Sequence, residues 1–140
     1  MNQVELILKT FQEYEFKEGL DDLFYLCGNF LKEIYPEIIL EYDQDTAFFN
    51  TLKILLDSGD SCLFYNLNYE DPSKDGELLS GNAQEQIKQL QLVWIGSLDI
   101  NKMDEENDYI GWYFLIYCPY GLAHKIYDED GNFERWFCTG

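Results

Sequence analysis

Apolar residues in the first sixty positions recur every three or four residues, which is the spacing of an amphipathic helix. The first such pattern covers residues 2–17. A second begins at a cap formed by Asp21 or Asp22 and ends at Pro36, since proline lacks a backbone donor. A third follows the polar residues 43–46 and ends near Gly59. These patterns predict about three N-terminal helices, and residues 37–42 fit either a short strand or a packed loop.

After residue 60 the apolar positions alternate, which is the spacing of a β-strand. Asn82 and Glu85 have the spacing of a capping box and predict a short helix within this half. Asp130-Gly131 is a typical hairpin dipeptide, and residues 101–108 are expected to be a polar connection. The expected strands are 61–69, 90–98, 109–118, 122–127 and 132–138.

This segregated order predicts a single α+β domain, with the N-terminal helices packed on a mostly antiparallel C-terminal sheet of about five strands. The stretch 109–118 has five aromatic residues and no charge, so we expect it to be a central strand that is apolar on both faces. The acidic residues 104–108 precede it directly. An apolar strand is therefore expected beside an acidic loop.

The charge of the chain points to a cationic partner. Its 140 residues include 27 acids and nine Lys or Arg, for a net charge of −18 that is shared between both halves. Averaged over the surface, this charge is several-fold more dilute than that of duplex DNA, so nucleic-acid mimicry would need the acids gathered on one face. No basic stripe is present, so direct binding to nucleic acid is not expected. A basic protein is electrostatically favoured.

The cysteines and the apolar runs bear on the compartment. No apolar run reaches 18 residues, so no membrane span is expected. The four cysteines permit three disulfide pairings, but none forms a CxxC pair and no secretory signal opens the chain. Cys27 and Cys118 fall in apolar runs, where a thiol behaves as a small hydrophobe. We therefore expect free thiols and a cytoplasmic location.

The chain lacks the usual motifs of catalysis and cofactor binding. The segment that starts at Asp128 does not match an EF-hand calcium loop, because Phe133 stands where glycine is needed and Thr139 where glutamate is needed. His124 is the only histidine, which excludes a multi-imidazole zinc site and favours a structural or surface role. No glycine pattern is typical of phosphate binding. We expect no metal, no cofactor and no enzyme activity, although 27 acids always offer carboxylate pairs for hydrolysis.

Tyrosine and tryptophan beside carboxylates form a surface that binds Arg and Lys through cation–π contacts and charge-assisted hydrogen bonds. In its small size, acidity, Tyr and Trp content and missing catalytic motif, the chain resembles bacterial toxin-immunity proteins. The resemblance implies a cytosolic inhibitor of a basic toxin domain, often a nuclease. Phage inhibitors of host defence nucleases are similar in composition. A nucleic-acid mimic, a carboxylate-based hydrolase and a housekeeping adaptor are the other hypotheses.

The candidate partner-binding residues are acids and the aromatic residues next to them. They form three patches: Asp104, Glu105, Glu106, Asp108, Tyr109 and Trp112; then Asp128, Glu129 and Asp130 at the hairpin tip; then Asp43 and Asp45. Reversing the charges of residues 104–108 is expected to weaken partner binding by about tenfold or more at low salt.

Overall fold

The computed structural model describes residues 2–13, 18–108 and 111–139. Within them the chain forms seven α-helices, one short 3₁₀ helix (Pro72–Lys74) and three β-strands. The helices are α1 (Gln3–Glu13), α2 (Leu20–Leu26), α3 (Asn29–Ile34), α4 (Gln44–Asp57), α5 (Ala83–Val93), α6 (Ser97–Asn107) and α7 (Trp112–Ile116). The strands are β1 (Ser61–Tyr65), β2 (Tyr120–Tyr127) and β3 (Phe133–Thr139). The predicted α+β class is confirmed.

Helix α4 lies at the centre of the helical layer and packs against α1, α2, α5 and β1. Its N-terminus is capped by Asp43, whose Oδ1 accepts a hydrogen bond from the Thr46 N–H at 2.8 Å. Ala47, Phe48 and Leu52 have no exposed surface. The helix predicted after residues 43–46 is confirmed, and its apolar face supplies much of the core.

The sheet is antiparallel throughout and has the order β1-β2-β3. In its register Leu63 pairs with Leu122, and Leu122 pairs with Thr139. The turn between β2 and β3 is held by Asp128, whose Oδ1 accepts from the N–H groups of Asp130 and Asn132. Gly131 within this turn has a φ of +82°, a conformation that favours glycine. The predicted hairpin at Asp130-Gly131 is confirmed.

An aromatic cluster joins the helices on the core side of the molecule. Phe24 and Phe48 are fully buried, and the indole of Trp94 stacks on Phe48 with the ring centroids 4.8 Å apart. Phe24 meets Trp94 edge-on at 5.6 Å. These geometries are the ones that aromatic pairs favour in protein cores, so Trp94 fixes the end of α5 against α2 and α4.

The predicted strand over residues 90–98 is wrong. Helix α5 begins with the capping box predicted from Asn82 and Glu85 and continues to Val93. Its buried side chains, listed in order, are Ala83, Gln86, Ile87 and Leu90. This is helical spacing, and the apparent alternation joined the end of one helix to the following turn and the start of α6.

The predicted polar connection and central strand over residues 101–118 are also wrong. Residues 104–107 lie on α6, and Trp112–Ile116 is helix α7. Tyr109 lies outside the described residues. Gly111, with a φ of +89°, turns the chain between the two helices, and the Asp104 Oδ1 accepts from the Trp112 N–H at 2.9 Å at the start of α7. A short apolar run has no periodicity that separates a strand from a helix.

The predicted second helix is interrupted at Gly28, so that α2 and α3 are separate. The N-cap of α2 is Gly19 rather than Asp21 or Asp22. Residues 37–42 form no helix or strand, and the predicted strand at 61–69 ends at Tyr65. The described sheet therefore has three strands instead of about five, and helices lie in both halves of the chain. None of the described helices is long and apolar enough to cross a lipid bilayer.

Candidate functional site

A cavity of about 430 Å³ opens where the N-terminus of α2, the segment before α7 and the ends of β2 and β3 meet. Three carboxylates line the cavity, from Glu18, Asp21 and Asp22, all within the sequence segment 18–22. We call this cavity the acidic cleft. Its volume lies in the range of small-ligand pockets, so it can accept the end of a long side chain.

The acidic cleft is formed by backbone segments that approach one another closely. A Cβ added to Gly111 would lie 3.1 Å from the Asp21 Oδ2, and one added to Gly19 would lie 3.2 Å from the Thr139 Oγ1. The Gly111 N–H also donates to the Tyr25 hydroxyl at 3.1 Å. Glycine at these two positions therefore lets the α2 acids sit against the end of β3 and the start of α7.

The carboxylates of the acidic cleft repel one another. The Asp22 Oδ2 accepts from the Gly19 N–H at 3.2 Å and fixes the first turn of α2. A hydrogen bond from Glu18 to Asp22, burial, and the negative charges of Asp22 and Asp21 raise the pKa of Glu18 to about 7. Burial, followed by the charge of Asp22, raises the pKa of Asp21. At neutral pH the acidic cleft thus holds a partly protonated Glu18.

No lysine or arginine within residues 2–13, 18–108 and 111–139 forms an ion pair with these three acids. The ion pairs there are Lys9–Glu13, Lys53–Asp57 and Lys102–Glu106, each between exposed side chains four residues apart on one helix. Such pairs contribute little to stability. Within the described residues, the three acids of the acidic cleft therefore lack an ion-pair partner, although Lys125 lines a second cavity together with Glu18.

The buried side chain of His124 fixes the position of Glu18. Its Nε2 donates to the Glu18 carbonyl at 2.8 Å, because a carbonyl can only accept. In the neutral ring its Nδ1 then accepts from the Ser61 hydroxyl at 2.9 Å. The third partner is a main-chain carbonyl rather than a carboxylate, so the pair is not a catalytic triad. His124 positions the chain at the acidic cleft, in keeping with the structural role expected for it.

Two of the predicted site acids accept hydrogen bonds from groups of the same chain, Asp45 at a part-buried position and Asp43 at an exposed one. The Asp45 Oδ1 accepts from the Trp94 Nε1 and from the Ser97 N–H, both at 2.8 Å, and its Oδ2 accepts from the Ser97 hydroxyl at 2.7 Å. Asp43 caps α4. Because these oxygens already accept hydrogen bonds, both residues have an evident structural role.

The predicted patch at residues 104–108 divides in the structure. Asp104 faces inward, where burial raises its pKa although it accepts from the Trp112 N–H, and its Oδ2 is buried without a partner among the described residues. Glu105, Glu106 and Asp108 are exposed, and the side chain of Trp112 is half-buried. Gly111 lines the acidic cleft, so this patch adjoins it through the start of α7.

The patch at the hairpin tip is exposed as expected. Asp128, Glu129 and Asp130 all lie on the surface of the turn that leads into β3. Asp128 uses one carboxylate oxygen to hold the turn. This patch lies at the start of β3, whereas the acidic cleft lies at its end.

Sequence reasoning missed Glu18, Asp21 and Asp22 as site residues, although it named two of them as helix caps. The local signal is a glycine flanked by acids at residues 18–22. Their proximity to Thr139 joins the two ends of the chain, and no local pattern carries that information. Among the described residues, no group of three or more His, Cys, Asp or Glu side chains is arranged to hold a metal ion.

Comparisons with known proteins describe the fold and no activity. No family model matches the sequence, and no curated protein matches it. A solved structure of an uncharacterized protein conserved in bacteria, from Neisseria meningitidis, is similar with a TM-score of 0.59 and 21% identity. The match covers 95% of this chain and 86% of that one. The shared feature is the fold alone.

Proposed function

We propose that this chain binds and inhibits a basic partner enzyme, and that the target class is a toxin nuclease, as for a bacterial immunity protein. One observation carries the proposal: the acidic cleft gathers Glu18, Asp21 and Asp22, none of them in an ion pair with a described lysine or arginine, in a chain of net charge −18. The hydrogen bond to Asp22, burial, and the charges of Asp22 and Asp21 raise the pKa of Glu18, and a partner's lysine or arginine inserted there would favour its ionised form.

The walls of the acidic cleft suit a long basic side chain. Phe114, Tyr120 and Phe137 line it beside the carboxylates. Lysine and arginine bury their methylene stems against apolar surface while the charged head reaches polar groups, and aromatic faces attract the cation directly. The acidic cleft thus offers both parts of a basic side chain a matching surface.

Nucleases are a suitable target class because they bind polyanionic substrates with clustered lysine and arginine. The overall negative charge of the inhibitor accelerates its encounter with such a surface, and this acceleration weakens as salt increases. Competition with the substrate for the same cations would then inhibit the enzyme. The four cysteines are free, Cys138 among them on the surface, which supports a reducing cytoplasm as the compartment.

The test compares three triple variants. The first neutralises the acidic cleft (Glu18→Gln, Asp21→Asn, Asp22→Asn). The second neutralises the exposed acids of the α6 patch (Glu105→Gln, Glu106→Gln, Asp108→Asn). The third neutralises exposed acids near another cavity (Glu33→Gln, Glu37→Gln, Glu41→Gln). Each variant loses three carboxyl groups, and the cleft variant loses the least charge because Glu18 is partly protonated at neutral pH. A larger effect of the cleft variant would therefore report the position of the acids rather than overall charge.

We expect the wild type and the third variant to capture a basic enzyme from the native host at low salt and to inhibit it at one-to-one stoichiometry. We expect the cleft variant to lose this inhibition. If only the α6 variant lost it, the site would be the patch predicted from residues 104–108. Equal retention by all three, or recovery of no basic enzyme, would contradict the proposal.

A carboxylate-based hydrolase is the second candidate function. The observation in its favour is that Glu18, with a pKa raised to about 7, hydrogen-bonds Asp22 inside a cavity, an environment typical of a general acid. Turnover of chromogenic ester, glycoside or phosphodiester substrates that disappears in Glu18→Gln would favour it. A thermal stabilisation by Mg²⁺, Mn²⁺ or Ca²⁺ but not by Na⁺ would point the same way.

A further inference from the structure

The two edges of the sheet differ. The outer edge of β1 is covered by the segment 76–79, where the Gly76 N–H donates to the Tyr65 carbonyl and the Leu79 N–H to the Leu63 carbonyl. Across residues 2–13, 18–108 and 111–139, no segment pairs with the outer edge of β3. This seven-residue strand contains no proline, the residue that often protects an exposed edge. Its outer edge is therefore open to another strand.

The register identifies the backbone groups on the open edge. The Lys125 N–H donates to the Asp60 carbonyl on the β1 side, so its neighbour His124 directs its backbone groups to β3, where it pairs with Phe137. Backbone groups alternate in direction along a strand. From Arg135 to Thr139, the groups that point away from β2 therefore belong to Trp136 and Cys138, and each of these residues offers one N–H and one carbonyl. Glu134 lies at the register shift opposite Ile126 and Tyr127, so the alternation does not extend to it.

Acids lie at both ends of this edge. Two groups of three carboxylates are involved: Glu18, Asp21 and Asp22 beside Thr139, and Asp128, Glu129 and Asp130 in the turn before Phe133. The cations nearby are Arg135 and Lys125, whose Nζ lies 5.6 Å from the centre of the Trp136 ring. Seven residues of strand span about 23 Å. An added strand of that length would have acids at each end.

These acidic residues favour one of two possible binding partners for the open edge of β3. If two copies of this chain paired through β3 in the antiparallel sense, the turn acids of one copy would meet the cleft acids of the other. Each copy also carries a net charge of −18, which opposes self-association. A basic segment of another protein would be attracted instead of repelled, because its cations would lie beside the acids at both ends of β3.

We propose that an extended segment of the partner protein, with lysine or arginine at both of its ends, adds to β3 as a fourth strand. Backbone hydrogen bonds to Trp136 and Cys138 supply the affinity of strand addition, and the two groups of acids select a basic segment. This inference rests on the proposed binding of a basic protein and specifies how that protein is held. The acidic cleft then receives the terminal cation of the added strand.

The probe is a synthetic ten-residue peptide of alternating threonine and valine with two lysines at each end. It is titrated into the full chain at low salt while amide hydrogen exchange is followed residue by residue. We expect exchange at Trp136 and Cys138 to slow at least tenfold with bound peptide. The amides of Arg135 and Phe137 already pair with β2 and should change little. A peptide with glutamate in place of lysine should not bind.

A proline variant tests the backbone contact separately from the side chain. Trp136→Pro removes an outward N–H without breaking the ladder to β2, and proline is tolerated at such edge positions. Trp136→Ala loses the same side chain but keeps the N–H. We expect Trp136→Pro to bind the peptide at least tenfold more weakly than Trp136→Ala. The pair Cys138→Pro and Cys138→Ala repeats the comparison, and circular dichroism establishes that each variant is folded.

Three results would overturn the strand addition. The first is no binding up to about 1 mM peptide at low salt. The second is binding without slower exchange at the amides of Trp136 and Cys138, and the third is equal binding by the proline and alanine variants. Slow exchange at these amides without peptide, together with a dimer in sedimentation, would make a second copy the occupant and also overturn it. Inhibition of a basic enzyme that is lost only in the cleft variant would still support the proposed function, so the two failures are distinguishable.

Discussion

Replacing Glu18 by glutamine should stabilise the protein at alkaline pH. Glutamine cannot ionise, yet its amide can donate the hydrogen bond that the protonated Glu18 makes to Asp22. In the wild type the pKa of Glu18 rises from 4.5 to about 7 on folding. The native state therefore holds more protons than the unfolded state between these pH values, and stability falls as the pH rises through that window.

The magnitude follows from the shift. At 1.36 kcal/mol per unit, the full shift would correspond to about 3 kcal/mol, but Glu18 is partly exposed and solvent screening reduces the effect. We expect Glu18→Gln to exceed the wild type by about 1 kcal/mol at pH 8, or about 4 °C in Tm. At pH 4 both side chains are neutral, so the two proteins should unfold together.

The assay is urea unfolding at pH 4, 6 and 8, followed by circular dichroism. The matched control is Glu33→Gln, at an exposed position of α3, which should leave the difference between pH 4 and pH 8 unchanged. Two results would contradict the raised pKa of Glu18. One is an equal stability of Glu18→Gln and the wild type at pH 8, and the other is a gain in stability at pH 4 as large as that at pH 8.

Other substitutions have equally specific outcomes. Asp45→Ala removes the acceptor of three hydrogen bonds from Trp94 and Ser97 and should lower the free energy of unfolding in urea by about 2–4 kcal/mol. The control Glu105→Ala, at an exposed position, should stay within about 0.5 kcal/mol of the wild type. Similar losses for both variants would contradict the role of Asp45. Gly121→Ala should lower the free energy of unfolding by at least about 2 kcal/mol, because the added Cβ would lie 2.9 Å from the Thr139 carbonyl oxygen and overlap the Phe64 ring. An unchanged urea midpoint would contradict this close packing.

The sequence predicted those elements whose local signals agree. Helix α4 has both a cap at Asp43 and an apolar face, and α5 has the Asn82 and Glu85 capping box. The β2–β3 hairpin has its turn dipeptide. Each of these signals lies within a few residues of the structure that it determines, so one chain is sufficient to recognise it.

The errors arose where tertiary packing decides. Residues 112–116 are apolar enough for a strand, but the turn at Gly111 and the Asp104 carboxylate at Trp112 begin a helix instead. The acidic cleft depends on the contact between residues 18–22 and Thr139 at the other end of the chain. A periodic sequence pattern does not encode a contact between residues so far apart in the sequence. The prediction of a cationic partner rests on acidic composition, which does not depend on the fold.

If a cation from the partner binds beside Glu18, binding should release a proton from that side chain. Calorimetry of the captured enzyme at pH 6, in two buffers with different ionisation enthalpies, counts the protons released. We expect the wild type to release nearly one proton, because a bound cation lowers the raised pKa of Glu18. We expect almost none from Glu18→Gln. Equal release by both proteins, or none by either, would contradict a bound cation beside Glu18.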